Sequence, residues 1–118
     1  MHTPAPGDLL PLKTEVLWLL LSLTGGSRHG YALMQDVAER SAGAVRIQTG
    51  ALYRFLHRMQ EDGLVAEAER PADESDERRR YYAITDFGRR VAAAELERMR
   101  GLLHEGLEHG LISEGGAS

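Results

Sequence analysis

The chain opens with an apolar block. Between Leu9 and Leu23 the apolar positions are Leu9, Leu10, Leu12, Val16, Leu17, Trp18, Leu19, Leu20, Leu21 and Leu23. Leu12, Val16, Leu19/Leu20 and Leu23 mark one helical face, and Leu17, Trp18 and Leu21 cover others. The pattern therefore predicts a helix that is apolar nearly all round. Such a helix is buried on more than one side, and in a chain this short part of the cover is expected from a second subunit. Gly25-Gly26-Ser27 is a turn. His29-Gly30 then leads into a short helix over 31–40, with Tyr31, Leu33/Met34, Val37 and Ala38 at helical spacing. Ser41-Ala42-Gly43 ends it with turn chemistry. After a brief extended segment, Ala44–Gln48, Thr49 is the expected N-cap of a third helix. That helix carries Leu52, Leu56 and Met59 inward with Phe55 beside them, and stops at Gly63.

The period then changes. Leu64–Arg70 alternates weakly and reads as a strand, Pro71–Glu77 as a polar loop, and Arg80–Thr85 as a second strand. Thr85-Asp86 caps a last helix running from near Phe87 to about His109. Its apolar positions Ala92, Leu96, Met99 and Leu103 form a short heptad seam, widened by Leu102 and Leu107. Glu95, Glu97, Arg98 and Arg100 read as its solvated side. The expected fold class is mainly α with a small β-hairpin: a winged helix-turn-helix over 9–85, then a long C-terminal dimerisation helix over 86–109. Residues 1–8 and 113–118 are expected to be flexible ends.

Composition narrows the function. The chain has 118 residues, enough for one domain, and no cysteine. Disulfides, a thiol nucleophile, cysteine zinc sites and iron–sulfur clusters are thereby excluded. The longest unbroken apolar run, Val16 to Leu21, is six residues, against the ~20 of a membrane span. The N-terminus has no early positive charge, so a cytoplasmic protein without a membrane partner is expected. Net charge is −4, from 14 Lys+Arg and 18 Asp+Glu, which taken alone argues against nucleic acid. The distribution argues the other way. Arg40 to Gln60 holds four arginines and no acid, Glu61 to Glu77 holds eight acids and one arginine, and Arg78-Arg79-Arg80 follows. Local sign decides which surface faces a phosphate backbone.

Four blocks carry a family likeness: His29-Gly30-Tyr31-Ala32-Leu33, Gly50-Ala51-Leu52-Tyr53, Glu61-Asp62-Gly63-Leu64-Val65, and Arg79-Arg80-Tyr81-Tyr82-Ala83-Ile84-Thr85 followed by Gly88. In this order and spacing, over about residues 9–107, the chain resembles the PadR family of transcriptional regulators in its short form with a single C-terminal helix. The resemblance implies a homodimer whose C-terminal helices pack against the partner's first helix. It also implies major-groove binding by the third helix and backbone or minor-groove contact by the wing. Members are mostly repressors, and several respond to small molecules such as phenolic acids or drugs. The implied interface agrees with the surplus apolar surface at Leu12, Val16, Leu17, Trp18 and Leu20 on the first helix and at Leu96, Met99, Leu103 and Leu107 on the last.

Gln48, Thr49, Gly50 and Ala51 lie where a helix-turn-helix presents side chains to base edges. Arg54 and Arg58, four apart, share a face distinct from that of Leu52, Leu56 and Met59. They are either DNA contacts, reading guanine or clamping phosphate, or a solvated basic face. The wing and the acid-free stretch favour contact. Tyr53 either donates to a phosphate or packs between helices with its hydroxyl satisfied internally, and Tyr31 is similar. His29 and Gly30 read as builders of a tight turn. Arg78, Arg79 and Arg80 either contact phosphate or pair with Asp73, Glu74, Asp76 and Glu77 of their own loop. Tyr81 and Tyr82 point to opposite faces, one of them into the core. Trp18 is either the lining of an effector pocket at the dimer or a core or interface tryptophan. The five histidines make no metal set, and no catalytic constellation stands out, so no enzyme activity, metal or cofactor is expected. The leading expectation is a homodimeric repressor on a pseudo-palindromic double-stranded DNA operator, released by a small-molecule effector. The rival is a ligand or protein sensor on the same scaffold without specific DNA binding.

Overall fold

The computed structural model describes residues 4–115. The apolar block divides at its prolines. Pro6–Leu9 forms a 3-10 turn, the Leu10–Pro11 peptide is cis, and helix α1 covers only Thr14–Leu23. A proline has no N–H to give a helix and disfavours helical geometry in the residue before it. The chain continues with β1 (Arg28–His29), α2 (Gly30–Arg40), α3 (Thr49–Glu61), β2 (Val65–Ala68), β3 (Tyr81–Ile84) and α4 (Asp86–Glu108). The outer parts of the ends read as flexible, 1–3 and 116–118, lie outside the described residues. The 3-10 turn packs on α4.

The hairpin forms as expected, with Val65 opposite Ile84 and Ala68 opposite Tyr81. It gains a third antiparallel strand, β1, so the sheet order is β1-β3-β2. Arg28 pairs with Tyr82 and His29 with Tyr81. Two residues are too few to carry an alternation, so this strand is invisible as a pattern. Local stops match their chemistry. Gly63 adopts φ +77° after α3, the left-handed conformation that ends a helix without a Cβ penalty. Thr85 caps α4 by accepting from the Gly88 N–H at 2.9 Å. The expected cap at Thr49 moves by one: Gln48 is the extended N-cap residue, and its carbonyl accepts from the Leu52 N–H at 2.8 Å.

The core gathers Leu19, Leu20 and Leu23 of α1 with Leu33 and Val37 of α2, Leu52, Leu56 and Met59 of α3, Val65, Tyr82, Val91 and Ala92. Each large aliphatic side chain buried there contributes roughly 1.5–3 kcal/mol. Because α1 packs on α2, α4 and β3 at once, the chain itself covers most of that helix. Leu17 and Leu20 are therefore core residues, 7% and 0% exposed, and not the partner-facing positions expected for them. Leu12, Val16 and Trp18 remain half-buried.

Helix α4 has two halves. Its first turns bury Gly88, Val91, Ala92 and Glu95 in the body of the fold. Glu95 is thus not on the solvated side: its carboxylate is fully buried, accepting from the Leu12 N–H at 2.7 Å and pairing with Arg98. Beyond it the helix leaves the body and exposes Leu96, Met99, Leu102 and Leu103, with Leu107 half-buried. The radius of gyration, 16.1 Å, accordingly exceeds the roughly 13–14 Å of a compact chain this long. Among the described residues no helix is long and apolar enough to cross a membrane.

Gly88 allows α4 to cross β2 closely. A Cβ there would overlap the Leu64 carbonyl oxygen and lie 3.0 Å from the Ile84 Cγ1. That carbonyl also accepts from the Thr85 N–H at 3.0 Å, so it cannot withdraw freely. Gly88→Ala is expected to destabilise the fold by about 2 kcal/mol or more despite alanine's better helix propensity. Urea denaturation checks this, and an unchanged midpoint would mean that α4 shifts without loss.

Candidate nucleic-acid interface

Helix α3 has one buried face and one exposed face. Leu52, Leu56 and Met59 point inward, while Gln48, Thr49, Gly50, Tyr53, Arg54, His57 and Arg58 are exposed and Ala51 is half-buried. Along that outer face Arg54 has no hydrogen bond or ion pair among the described residues. Arg58 is held by Asp62 one turn on, Nε to Oδ2 at 3.2 Å. Exposed pairs of this kind are worth ~0–1 kcal/mol and exchange readily for a phosphate. His57, which motif reasoning passed over as a contact, shares the face and lies 3.7 Å from Glu61. Its exposure is the signal: helical spacing from Gly50 and Arg54 puts it on the same side.

Two recesses flank α3. On one side a recess of about 540 Å³ opens between the N-terminal segment, α1 and α3. Leu9, Leu12, Val16, Phe55 and Met59 form its apolar wall, and Lys13, Arg54 and Arg58 its rim, with the Asp62 carboxylate beside Arg58. On the other side a recess of about 370 Å³ lies between α3, the start of α2 and the wing, and brings together Tyr31, Tyr53, Arg78, Arg79 and Arg80. Trp18, the expected effector residue, lines neither recess and packs instead against the core.

The two tyrosines differ. Tyr31 is 57% exposed and accepts from Gln35 at 3.0 Å. The Tyr53 hydroxyl has no hydrogen-bond partner among the described residues. Tyr53 leans over Gly30, where a Cβ would meet its hydroxyl at 2.7 Å. Tyr82 is the core tyrosine of the strand pair. Tyr81 donates to Glu74 at 2.6 Å.

The wing loop pairs its own charges. Glu74 accepts from Tyr81, from the Asp76 N–H and from Arg79 Nη1 at 3.1 Å. The Tyr81 hydroxyl above all lowers the Glu74 pKa to about 2. Arg78 lies 3.3 Å from Asp76, whose pKa is lowered chiefly by the Arg78 backbone N–H, and Arg80 lies 3.6 Å from Glu67. All three wing arginines are therefore partnered. Arg78 and Arg80 are widely exposed in weak surface pairs, while Arg79 turns inward to Glu74 and His29. His29 itself closes the start of α2: its Nδ1 lies 3.2 Å from the Ala32 N–H, a cap that the turn reading missed because histidine is an uncommon capping residue.

Comparison with known proteins places this geometry. The model of the transcriptional regulator PadR-like family matches residues 19–94. A PadR family transcription regulator from Clostridium difficile superposes with a TM-score of 0.69 at 21% identity, over 85% of this chain and 100% of that one. A RosR complex, from the H. salinarum protein, gives a TM-score of 0.66 at 26% identity over 81% of this chain and 77% of that one. Bacillus subtilis PadR in complex with operator DNA gives a TM-score of 0.62 at 17% identity, over 71% of this chain and 48% of that one. Likeness at the lower identities speaks for the winged-helix fold alone. No curated protein matches the chain.

Proposed function

The chain belongs to the PadR-like family of transcriptional regulators, and from that premise we propose that it is a homodimeric repressor of a pseudo-palindromic operator. The observation that carries this reading is the outer face of α3, where Arg54, unpaired among the described residues, stands beside Tyr53 and the helix lies between two arginine-lined recesses. Gln48, Thr49, Gly50 and Ala51 enter the major groove, Arg54 and Arg58 take guanine edges or phosphates, and Tyr31 and Tyr53 donate to the backbone. Arg78 and Arg80 exchange their exposed carboxylate partners for phosphates, and Arg79 follows when it leaves Glu74. Two-fold symmetry calls for two half-sites about one helical turn apart, ~10 bp.

Dimerisation uses the distal half of α4. Leu96, Met99, Leu103 and Leu107 form the exposed stripe, and Leu12, Val16 and Trp18 of the partner receive it. This is the apolar surface that one copy leaves uncovered. Leu12 and Val16 also line the larger recess, which therefore adjoins the interface. A small-molecule effector with an apolar body and an acidic group sits there, its anion against Arg54. It moves the two recognition helices only insofar as it binds one arrangement better than the other. The acidic total charge favours the second reading, a sensor that does not bind DNA specifically.

Fluorescence anisotropy on the DNA upstream of the chain's own gene tests the proposal. Binding is expected to weaken by orders of magnitude between about 50 and 200 mM salt, as phosphate contacts release counterions. Light scattering at micromolar concentration is expected to give a dimer. A dimer that ignores genomic DNA fragments even at low salt would leave the sensor.

A further inference from the structure

His29 touches both halves of the interface. Its backbone is strand β1, paired with Tyr81 of the wing, and its imidazole meets the Tyr81 ring edge-on at 5.3 Å. Nδ1 lies 3.2 Å from the Ala32 N–H at the first turn of α2. Nε2 lies 3.3 Å from Nη1 of Arg79. Both neighbours are donors, but a neutral imidazole has one N–H and a single bare nitrogen. The two contacts cannot both be hydrogen bonds at the same moment, and an imidazolium can make neither.

We propose that His29 is a positioning residue that passes its one acceptor nitrogen between wing and recognition domain, accepting from Arg79 at Nε2 or from the Ala32 N–H at Nδ1. With Arg79 turned inward both donors lie within reach and the ring divides between two tautomers: with the proton on Nε2, Nδ1 accepts from the Ala32 N–H and caps α2, and with the proton on Nδ1, Nε2 accepts from the guanidinium and the cap is given up. When Arg79 turns outward, the molecules protonated on Nδ1 lose that proton to water and gain another on Nε2, and Nδ1 caps α2 throughout. Engagement of the wing thereby firms the turn that carries Tyr31. The phosphate that draws Arg79 outward rests on the DNA-binding reading above. The exchange within the ring does not.

The surroundings keep the ring neutral, as the exchange requires. Burial first, then the Arg79 charge, lowers the His29 pKa, and Glu74 opposes them. Arg28, the neighbour in β1, is directed away to the Ser22 carbonyl and Asp36. Asp76 lies 3.9 Å from Arg79 and supplements Glu74 in holding it inward.

Nitrogen-15 NMR of the imidazole in the full chain tests this near pH 7.5, together with Ala32 amide exchange. The wild type is expected to divide between the two tautomers, and Arg79→Ala to hold the Nε2–H tautomer alone, with Ala32 exchange slowed up to about fivefold by the undivided cap. Arg79→Gln gives the same direction should the alanine variant unfold. In His29→Asn, whose amide oxygen caps without choosing, Ala32 exchange is slow whether or not Arg79 is present. The same tautomer in wild type and both Arg79 variants, with unaltered Ala32 exchange, overturns the proposal. A saturating duplex taken from the DNA upstream of the chain's own gene is expected to shift the wild-type ring as Arg79→Ala does. A ring that answers to Arg79→Ala but not to DNA keeps the shared nitrogen and removes DNA as the group that draws Arg79 outward.

Discussion

Replacing Arg54 and Arg58 together with alanine is expected to abolish operator binding while leaving fold and dimer intact. Both guanidinium groups lie on the exposed face of α3, away from Leu52, Leu56 and Met59, so the core does not depend on them. A bidentate arginine–guanine contact is worth about 1–3 kcal/mol, or roughly five- to 150-fold in affinity. A pure phosphate contact instead reduces the salt slope by about one per cation. The single substitutions should differ. Among the described residues Arg54 has no partner to lose, whereas Arg58 gives up Asp62 before it can reach DNA. Arg54→Ala is therefore expected to cost more. Anisotropy across a salt series measures both quantities, with thermal melting and light scattering as controls. A double variant that binds the operator like the wild type would remove α3 as the reading helix.

Glu95→Ala is expected to destabilise the chain by about 3 kcal/mol, the range for leaving a buried hydrogen-bonding group without its partner. The carboxylate ties the N-terminal segment to α4 through the Leu12 N–H, and its other oxygen pairs with Arg98. Arg98 is 40% exposed and regains water when released, so the main loss is the orphaned N–H and the void. Glu95→Gln retains an acceptor for Leu12 and should cost less. The carboxylate also sets a pH dependence. The Arg98 hydrogen bond, aided by the Leu12 N–H and opposed by burial, lowers the Glu95 pKa below its ordinary 4.5. The unfolded chain takes up this proton more readily than the folded one. The stabilisation is therefore complete above pH 4.5 and lost as pH falls through the lower, folded value. Urea melts of wild type and Glu95→Gln should differ at pH 7 and converge in acid. Curves that stay parallel to low pH would mean that the charge of Glu95 contributes nothing.

Much of this molecule was legible in the order of its residues. The spacing of Leu52, Leu56 and Met59 set the inner face of α3, and so left Arg54 and Arg58 outside. Gly63 and Thr85 marked their helix ends, and the alternation around Tyr81 and Tyr82 gave a strand with one tyrosine buried. These features depend on nearest neighbours and on a period of two or three to four residues, and a sequence displays both directly. What it did not display depends on partners distant along the chain. Glu95 lies among charged residues and looks solvated, yet the N-terminal segment, 83 residues away, covers it. Leu17 and Leu20 look like surplus apolar surface until α2, α4 and the sheet close around α1. The wing arginines could have faced DNA or their own acids. Folding of the loop onto Glu74, Asp76 and Glu67 settled their resting partners. His29 became a neighbour of Arg79 only because β1 pairs with β3 across 50 residues of chain. Periodicity determines which face of an element is apolar, whereas burial and charge pairing are set by which distant element comes to lie on that face.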